Sequence, residues 1–317
     1  MTLFNSLSEY FLLLFVLGGA AIWLRQRAAI RREEQAVFGR LVTDFALPAL
    51  IFLSISKEPL VTERLLLALL LFCSIAVVAA VAWLAGRFAG LSDPVLGSVV
   101  LVSGVGSSST LGYLLVLQIY GEDPSIMSAV VTMGEIGVHL PLFTIGVAIA
   151  IHFGRDKASD ISLWSAIRPF FTSPIFLAMV LGVIAAAVRL PQDHWAVAIV
   201  DDLLGVAADS LLFLVAFTTG LMLKPIPLRN LAMLIAIVAG LKLVVEPLIA
   251  LTVGSILGVG TLERELLVLE AGMPASMVAG VIAMRYGCDG AVASAVVIAT
   301  YFFCLATLPV IMLIGFT

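Results

Sequence analysis

Charge is scarce in this chain. Only 12% of its residues are Asp, Glu, Lys or Arg, about half the share of an ordinary soluble domain, so a solvated globular fold is excluded. Cysteine is equally thin: Cys73, Cys288 and Cys304 are odd in number and lie in or beside apolar stretches, which implies no disulfide framework. No polar connection is long enough to form a separate soluble domain. No metal-ligand spacing or nucleotide-binding motif stands out, so no cofactor, metal ion or nucleic-acid partner is expected. No basic n-region precedes the first apolar segment and no small-residue cleavage pattern follows it cleanly, so that segment reads as a retained helix. The net charge of −4 says little about partners, because the distribution of charge matters more than its sum.

What is abundant is hydrocarbon. The chain is 62% hydrophobic, with a mean hydropathy of +1.18, the composition of an integral membrane protein. A membrane span takes about 20 mostly apolar residues. Ten such segments are readable: Tyr10–Leu24, Gly39–Ile55, Leu65–Ala85, Val95–Ile119, Ser125–Ile151, Phe170–Val188, Leu203–Leu223, Leu231–Leu257, Glu265–Met284 and Ala291–Ile314. The expected fold is therefore all-α and membrane-embedded.

Two of these segments are interrupted at about half their depth. Ser103-Gly104-Val105-Gly106-Ser107-Ser108-Ser109-Thr110 breaks the fourth with glycines and hydroxyls, and Leu269-Glu270-Ala271-Gly272-Met273-Pro274-Ala275-Ser276 breaks the ninth. Proline removes a donor and crowds the preceding turn, so a helix should stop there. The breaks occupy matching places in two halves. Tyr120-Gly121-Glu122-Asp123 followed by Ser128-Ala129-Val130-Val131 recurs as Tyr286-Gly287-Cys288-Asp289 followed by Ser294-Ala295-Val296-Val297, at a constant offset of 166 residues that also carries Gly106 onto Gly272. Paired, interrupted segments in corresponding positions point to a transporter's binding site.

The basic residues suggest an orientation. Arg25, Arg27, Arg31, Arg32, Arg40, Arg87, Arg155, Lys157, Arg168, Lys224, Arg229 and Arg285 fall on one side. Only Lys57, Arg64, Arg189 and Arg264 fall on the other, and Lys242 within a span completes the 17. The positive-inside rule then puts both termini on the non-cytoplasmic side of a cell (inner) membrane. Five spans per half turn the second half upside down relative to the first. The expected organisation is a first repeat over residues 1–152, a cytoplasmic connector over 153–169 and a second repeat over 170–317.

At the breaks, Ser107, Ser108 and Ser109 are candidates to cap a second half-helix, and Pro274 is a natural first helical residue with Ser276 beside it. Two half-helix N-termini meeting near mid-membrane create positive potential without a charged side chain, which suits a carboxylate. The candidate substrate-binding residues are Gly106, Ser107, Ser108, Ser109, Thr110, Met273, Pro274, Ala275 and Ser276, with His139 and Lys242 contributing positive charge. Gly104, Gly106, Gly272, Pro274 and Pro48 are the candidate helix breaks, although Pro48 alone reads more simply as a kink. Glu135 and His139 are four residues apart, as are Lys242 and Glu246, so each pair shares a helical face. Buried ionisable groups in a membrane are costly and functional by default. Each pair serves either transport or structural pairing. Glu135, His139 and Glu270 are the candidates for proton coupling.

At Leu47-Pro48-Ala49-Leu50-Ile51-Phe52, Gly112 to Gly121, Met273 to Tyr286 and Thr307-Leu308-Pro309, the chain resembles the auxin efflux carrier family, within the bile acid:sodium symporter superfamily. The resemblance covers essentially the whole chain. It implies two inverted five-helix repeats, a scaffold domain and a transport domain each built from both repeats, and fourth and ninth helices that cross where they unwind. It further implies elevator-type movement of organic anions, auxin in plants and dicarboxylates such as malate or malonate in bacteria, and a homodimer like the plant relatives. The chain departs from the family pattern at Ser107, where asparagine is common, and at Gly106 and Leu114, at or near which proline is common. The expected function is a secondary carrier of a small mono- or dicarboxylate. A proton- or sodium-coupled symporter is the nearest alternative. A more remote one is an intramembrane hydrolase with one of Ser107 to Ser109 as nucleophile and His139 as base.

Overall fold

The computed structural model of the protein describes residues 3–27, 29–30, 34–57, 62–154, 164, 168, 171–188, 195–222 and 231–316. Most of the connector expected at 153–169 and many of the basic loop residues behind the orientation, Arg31, Arg32, Arg155, Lys157, Arg189, Lys224 and Arg229, lie outside the described residues. Among the described residues the regular structure is helical, apart from one isolated β-bridge. In chain order the helices are α1 (Leu3–Gln26), α2 (Gln35–Leu41), α3 (Leu47–Ser56), α4 (Thr62–Phe88), α5 (Asp93–Gly104) and α6 (Tyr113–Tyr120). They continue with α7 (Pro124–Phe153), α8 (Pro174–Val188), α9 (Trp195–Asp209), α10 (Leu211–Met222), α11 (Ala232–Ile256), α12 (Thr261–Ala271), α13 (Met277–Arg285) and α14 (Gly290–Phe316). By length and composition α4, α7, α11 and α14 are each able to cross a bilayer. A backbone with no water around it must satisfy its hydrogen bonds internally, and a long helix does so. On α4 the outward Leu66, Leu69, Val77, Val81 and Leu84 are exposed, a face suited to hydrocarbon.

The chain divides into two compact units. One comprises residues 1–61, 109–131 and 169–225; the other comprises 62–108, 132–168 and 226–317. In the first unit α1 packs on α10 through Ala21, Phe217 and Leu221, joined by Leu24, Ile30 and Phe38. Arg25 Nη1 donates to the Leu221 carbonyl at 2.6 Å and so caps the last turn of α10. α3 packs on α8, where a Cβ on Gly182 would stand 3.1 Å from the Ile55 Cβ. A cavity of about 460 Å³ opens within this unit, lined in part by Ser54, Lys57, Gln118, Glu122, Asp201 and Asp209.

In the second unit α4 receives α7 at close range. A Cβ on Gly137 would lie 2.6 Å from the Ala68 carbonyl, so only glycine lets the helices approach this far. α5 is held by the turn before α14: Ser98 Oγ donates to the Asp289 carbonyl at 2.9 Å, and Asp289 N–H donates to the Pro94 carbonyl at 3.0 Å.

Several long helices widen locally into π-helical turns, at Val42–Ala46, Ser108–Gly112, Met133–His139, Leu142–Gly146 and Leu241–Val245. Such bulges concentrate at functional sites, and here Glu135, His139 and Lys242 all sit on one. A π-turn also corrects the reading of Pro48 as a break. The chain stays helical through Ala46 and Leu47, and the Leu47 N–H reaches back to the Val42 carbonyl. The wider turn accommodates the missing proline donor without unwinding. The segment expected as one span over Leu203–Leu223 is divided instead. It runs as α9 from Trp195 and pauses at Ser210, whose hydroxyl donates to the Ala207 carbonyl at 2.6 Å and competes for the backbone there.

The two Tyr-Gly-x-Asp turns repeat in detail. Gly121 has φ 74° and Gly287 φ 84°, a left-handed conformation that favours glycine. Asp123 Oδ1 then accepts the N–H groups of Ser125 and Ile126, and Asp289 Oδ1 accepts those of Ala291 and Val292. Each aspartate starts the following helix by capping it.

Candidate functional site

α5 ends at Gly104, and Val105 is extended, with φ −106° and ψ 118°. α12 ends at Ala271, and the chain is extended again at Ser276, with φ −70° and ψ 130°, before α13 begins at Met277. The two unwound segments pair with each other. Gly106 and Ala275 form an antiparallel bridge, in which Ser107 N–H donates to the Pro274 carbonyl and Ser276 N–H donates to the Val105 carbonyl, both at 2.8 Å. This pairing corrects one expectation. Pro274 lies in the extended segment rather than opening the next helix, because the bridge keeps the chain unwound as far as Ser276. Ser276 makes no side-chain cap on α13. Ser107 turns its hydroxyl to Tyr301, with Oγ and Oη 2.8 Å apart.

The crossover is buried throughout, with Ser107, Ser108, Ser109, Met273, Ala275 and Ser276 all shielded. Ser109 and Thr110 follow on the π-helical turn Ser108–Gly112 that leads into α6. α14 supplies partners that no motif in the sequence marks. Thr300 Oγ1 accepts the Ala275 N–H at 3.0 Å, and Cys304 Sγ meets the Gly272 carbonyl at 3.6 Å. Thr300, Tyr301 and Cys304 stand out as polar groups in a 27-residue apolar helix, and that was the available clue.

Four helix ends converge here, the C-termini of α5 and α12 and the starts of Ser108–Gly112 and α13. The last carbonyls of a helix carry partial negative charge and its first N–H groups partial positive charge. Lys242 addresses one negative end directly. Its Nζ donates to the Ala271 carbonyl at 3.0 Å and lies 2.8 Å from Glu246 Oε2. Lys242 is 1% exposed and Glu246 is fully enclosed, so the ion pair is excluded from solvent. A Cβ on Gly106 would come within 3.0 Å of Nζ, so glycine here makes room for the ammonium.

A second ionisable group adjoins it. Glu135 Oε2 and His139 Nδ1 are 3.3 Å apart on the π-turn of α7. Glu270, on the last turn of α12, feels the charges of Lys242, His139 and Glu135 and the hydroxyl of Ser108. The Ser108 hydroxyl faces that carboxylate without completing a well-formed hydrogen bond, and Glu270 itself is buried. The second unit thus gathers Glu135, His139, Lys242, Glu246 and Glu270 around the place where its helices break. Among the described residues no cluster of three or more His, Cys, Asp or Glu side chains has the arrangement of a metal site.

Residues 6–312 match the family described as membrane transport protein, nearly the full length over which the breaks, turns and buried charges are distributed. The chain belongs to this membrane transport protein family, the auxin efflux carriers. Similar curated proteins include an uncharacterized transporter of Methanocaldococcus jannaschii, 28% identical over 86% of this chain and 87% of its own length. Another is an uncharacterized transporter of Methanothermobacter thermautotrophicus, 25% identical over 97% of this chain and 98% of its own. Family membership and the bilayer-length helices make this carrier a multi-pass membrane protein. They also make it a transporter rather than an enzyme, which removes the hydrolase reading of Ser107 to Ser109.

Proposed function

We propose that this family member is a secondary carrier for a small organic anion, a mono- or dicarboxylate, bound at the crossover of the broken helices. The observation carrying this reading is the asymmetry of the four helix ends. Lys242 neutralises the carbonyl end of α12, while the starts of Ser108–Gly112 and α13 keep their positive ends. Those two N-terminal ends then favour a carboxylate. Gly106, Ser107, Ser108, Ser109, Thr110, Met273, Pro274, Ala275 and Ser276 form the binding surface in this reading, and His139 adds positive charge when protonated.

The spans are ten, arranged as two inverted five-helix repeats, with both termini on the non-cytoplasmic side of the cell membrane and the protein working as a homodimer. Transport proceeds by elevator-type alternating access. The division into two units that each draw segments from both halves of the chain supports this, as does the repeated Gly-Asp turn at 121–123 and 287–289. Uptake of radiolabelled mono- and dicarboxylates into proteoliposomes tests the reading. Saturable uptake, competed by unlabelled acids and lost when Ser276 is replaced by Trp, is expected. Uptake of cations or neutral solutes in preference to acids would overturn it.

A proton-coupled version is favoured by one observation: Glu135 and His139 stand 3.3 Å apart in the unit where the buried Glu270 faces Ser108. In that case an imposed pH gradient drives accumulation, and Glu270→Gln leaves exchange but abolishes gradient-driven uptake.

A further inference from the structure

Where a helix stops inside a membrane protein, its last carbonyls need donors that water does not supply. The Ala271 carbonyl shows the problem and its solution. In a continued helix it would accept the N–H of Ala275, but that N–H donates to Thr300 Oγ1 at 3.0 Å. The vacant acceptor is taken by Lys242 Nζ, which reaches it from α11 at 3.0 Å. The same ammonium lies 2.8 Å from Glu246 Oε2, and Gly106 leaves room for it on the other strand of the bridge. Nζ is therefore held by a backbone carbonyl and a carboxylate, in a place sealed from solvent. Oxygen donors of this kind, one charged and one at a helix C-terminus, are those that hold a desolvated hard cation.

We propose that the Lys242 ammonium is a tethered cation of the crossover, standing where a free monovalent cation would otherwise be required. The protein carries this counter-ion on its own α11, so the broken α12 is held in register without an inorganic ion. Lys242 is then a positioning residue, acting on substrate through the α12 terminus. Glu246 is its anchor. Neither the identity of the transported molecule nor the direction of transport enters this inference.

The experiment is cation rescue of a cavity variant. Lys242→Ala removes the ammonium and leaves the Ala271 carbonyl and the Glu246 carboxylate around an empty space. Thermal unfolding of the purified protein in detergent is followed at constant ionic strength in sodium, potassium, propylammonium or bulky N-methylglucamine chloride. For Lys242→Ala, Tm should rise by roughly 5 °C or more, saturably, with a small cation and not with N-methylglucamine. The unaltered protein should show the same Tm in all four salts. If the variant folds only when prepared with a small cation, the proposal stands. If no cation recovers it, or if N-methylglucamine serves equally well, the proposal fails. The double variant Lys242→Met with Glu246→Gln provides an independent arm. It removes both charges together, so it should be more stable than Lys242→Met alone and indifferent to the salt. A double variant no more stable than the single one, or an unaltered protein that itself requires sodium, would overturn the assignment.

Discussion

Lys242 fills the space that a side chain at Gly106 would need, its Nζ 3.0 Å and its Cε 3.2 Å from the position of a Cβ there. An unwound segment and a helix far apart in sequence are thereby coupled through one missing methyl group. Gly106→Ala should shift the ammonium off the Ala271 carbonyl and lower stability by about 1–3 kcal/mol, the usual range for overpacking. Gly106→Val should cost more and abolish uptake. Chemical or thermal denaturation of the two variants, beside proteoliposome uptake, measures both effects. A Gly106→Val protein as stable and active as the original would show that the space is not tightly held.

Ser108 gives the opposite kind of expectation. Its buried hydroxyl completes no well-formed hydrogen bond, so Ser108→Ala removes a desolvated polar group and should leave stability within about 0.5 kcal/mol, or raise it. Uptake should nevertheless fall, because the hydroxyl is kept for substrate or for Glu270. Replacement by a bulky residue should abolish uptake with folded protein still present in the membrane. A loss of stability in Ser108→Ala, with uptake unchanged, would make the residue structural.

The left-handed turn glycine Gly121 has open space around its Cβ position and φ 74°. Gly121→Ala should therefore cost about 1 kcal/mol through backbone conformation alone. The Gly121 ψ of −165° lies outside the αL well that Asn tolerates, so Gly121→Asn should cost no less than Gly121→Ala. Tm measurements on the pair check the order.

Cys288 lies in the turn before α14, with its thiol against the Ala150 carbonyl at 3.5 Å. Burial pushes this thiol up to about 11 from an ordinary value near 9. The reactive thiolate is scarce at neutral pH, so Cys288 in the folded protein should resist maleimide at pH 7. Its labelling should accelerate as pH rises toward about 11 and on unfolding. Mass spectrometry of the labelled peptide reads this out, and rapid labelling at pH 7 would contradict it.

Much of the site was legible because its causes are local. Glycine and hydroxyl residues at 103–109 and Gly272 with Pro274 mark places where a helix cannot be maintained, and the four-residue spacing of Glu135 with His139 and of Lys242 with Glu246 puts each pair in reach. What escaped depends on contacts distant in sequence. The extended state of Pro274 is imposed by hydrogen bonds to Val105 and Ser107. The roles of Thr300 and Tyr301 exist only because α14 lies alongside the crossover. The π-turns at Val42–Ala46 and Leu241–Val245 each end two residues before a proline, Pro48 and Pro247, which reads in the sequence as a kink and does not reveal the widened turn.

The two hydrogen bonds that join Val105–Ser107 to Pro274–Ser276 run entirely between main-chain atoms. Amino-acid exchange at these positions alters what the junction presents without dissolving it, unless a new proline deletes the donor of Ser107 or Ser276. The architecture thus separates scaffolding from recognition at the scale of single atoms, and a lineage built on it is able to change diet while keeping its skeleton.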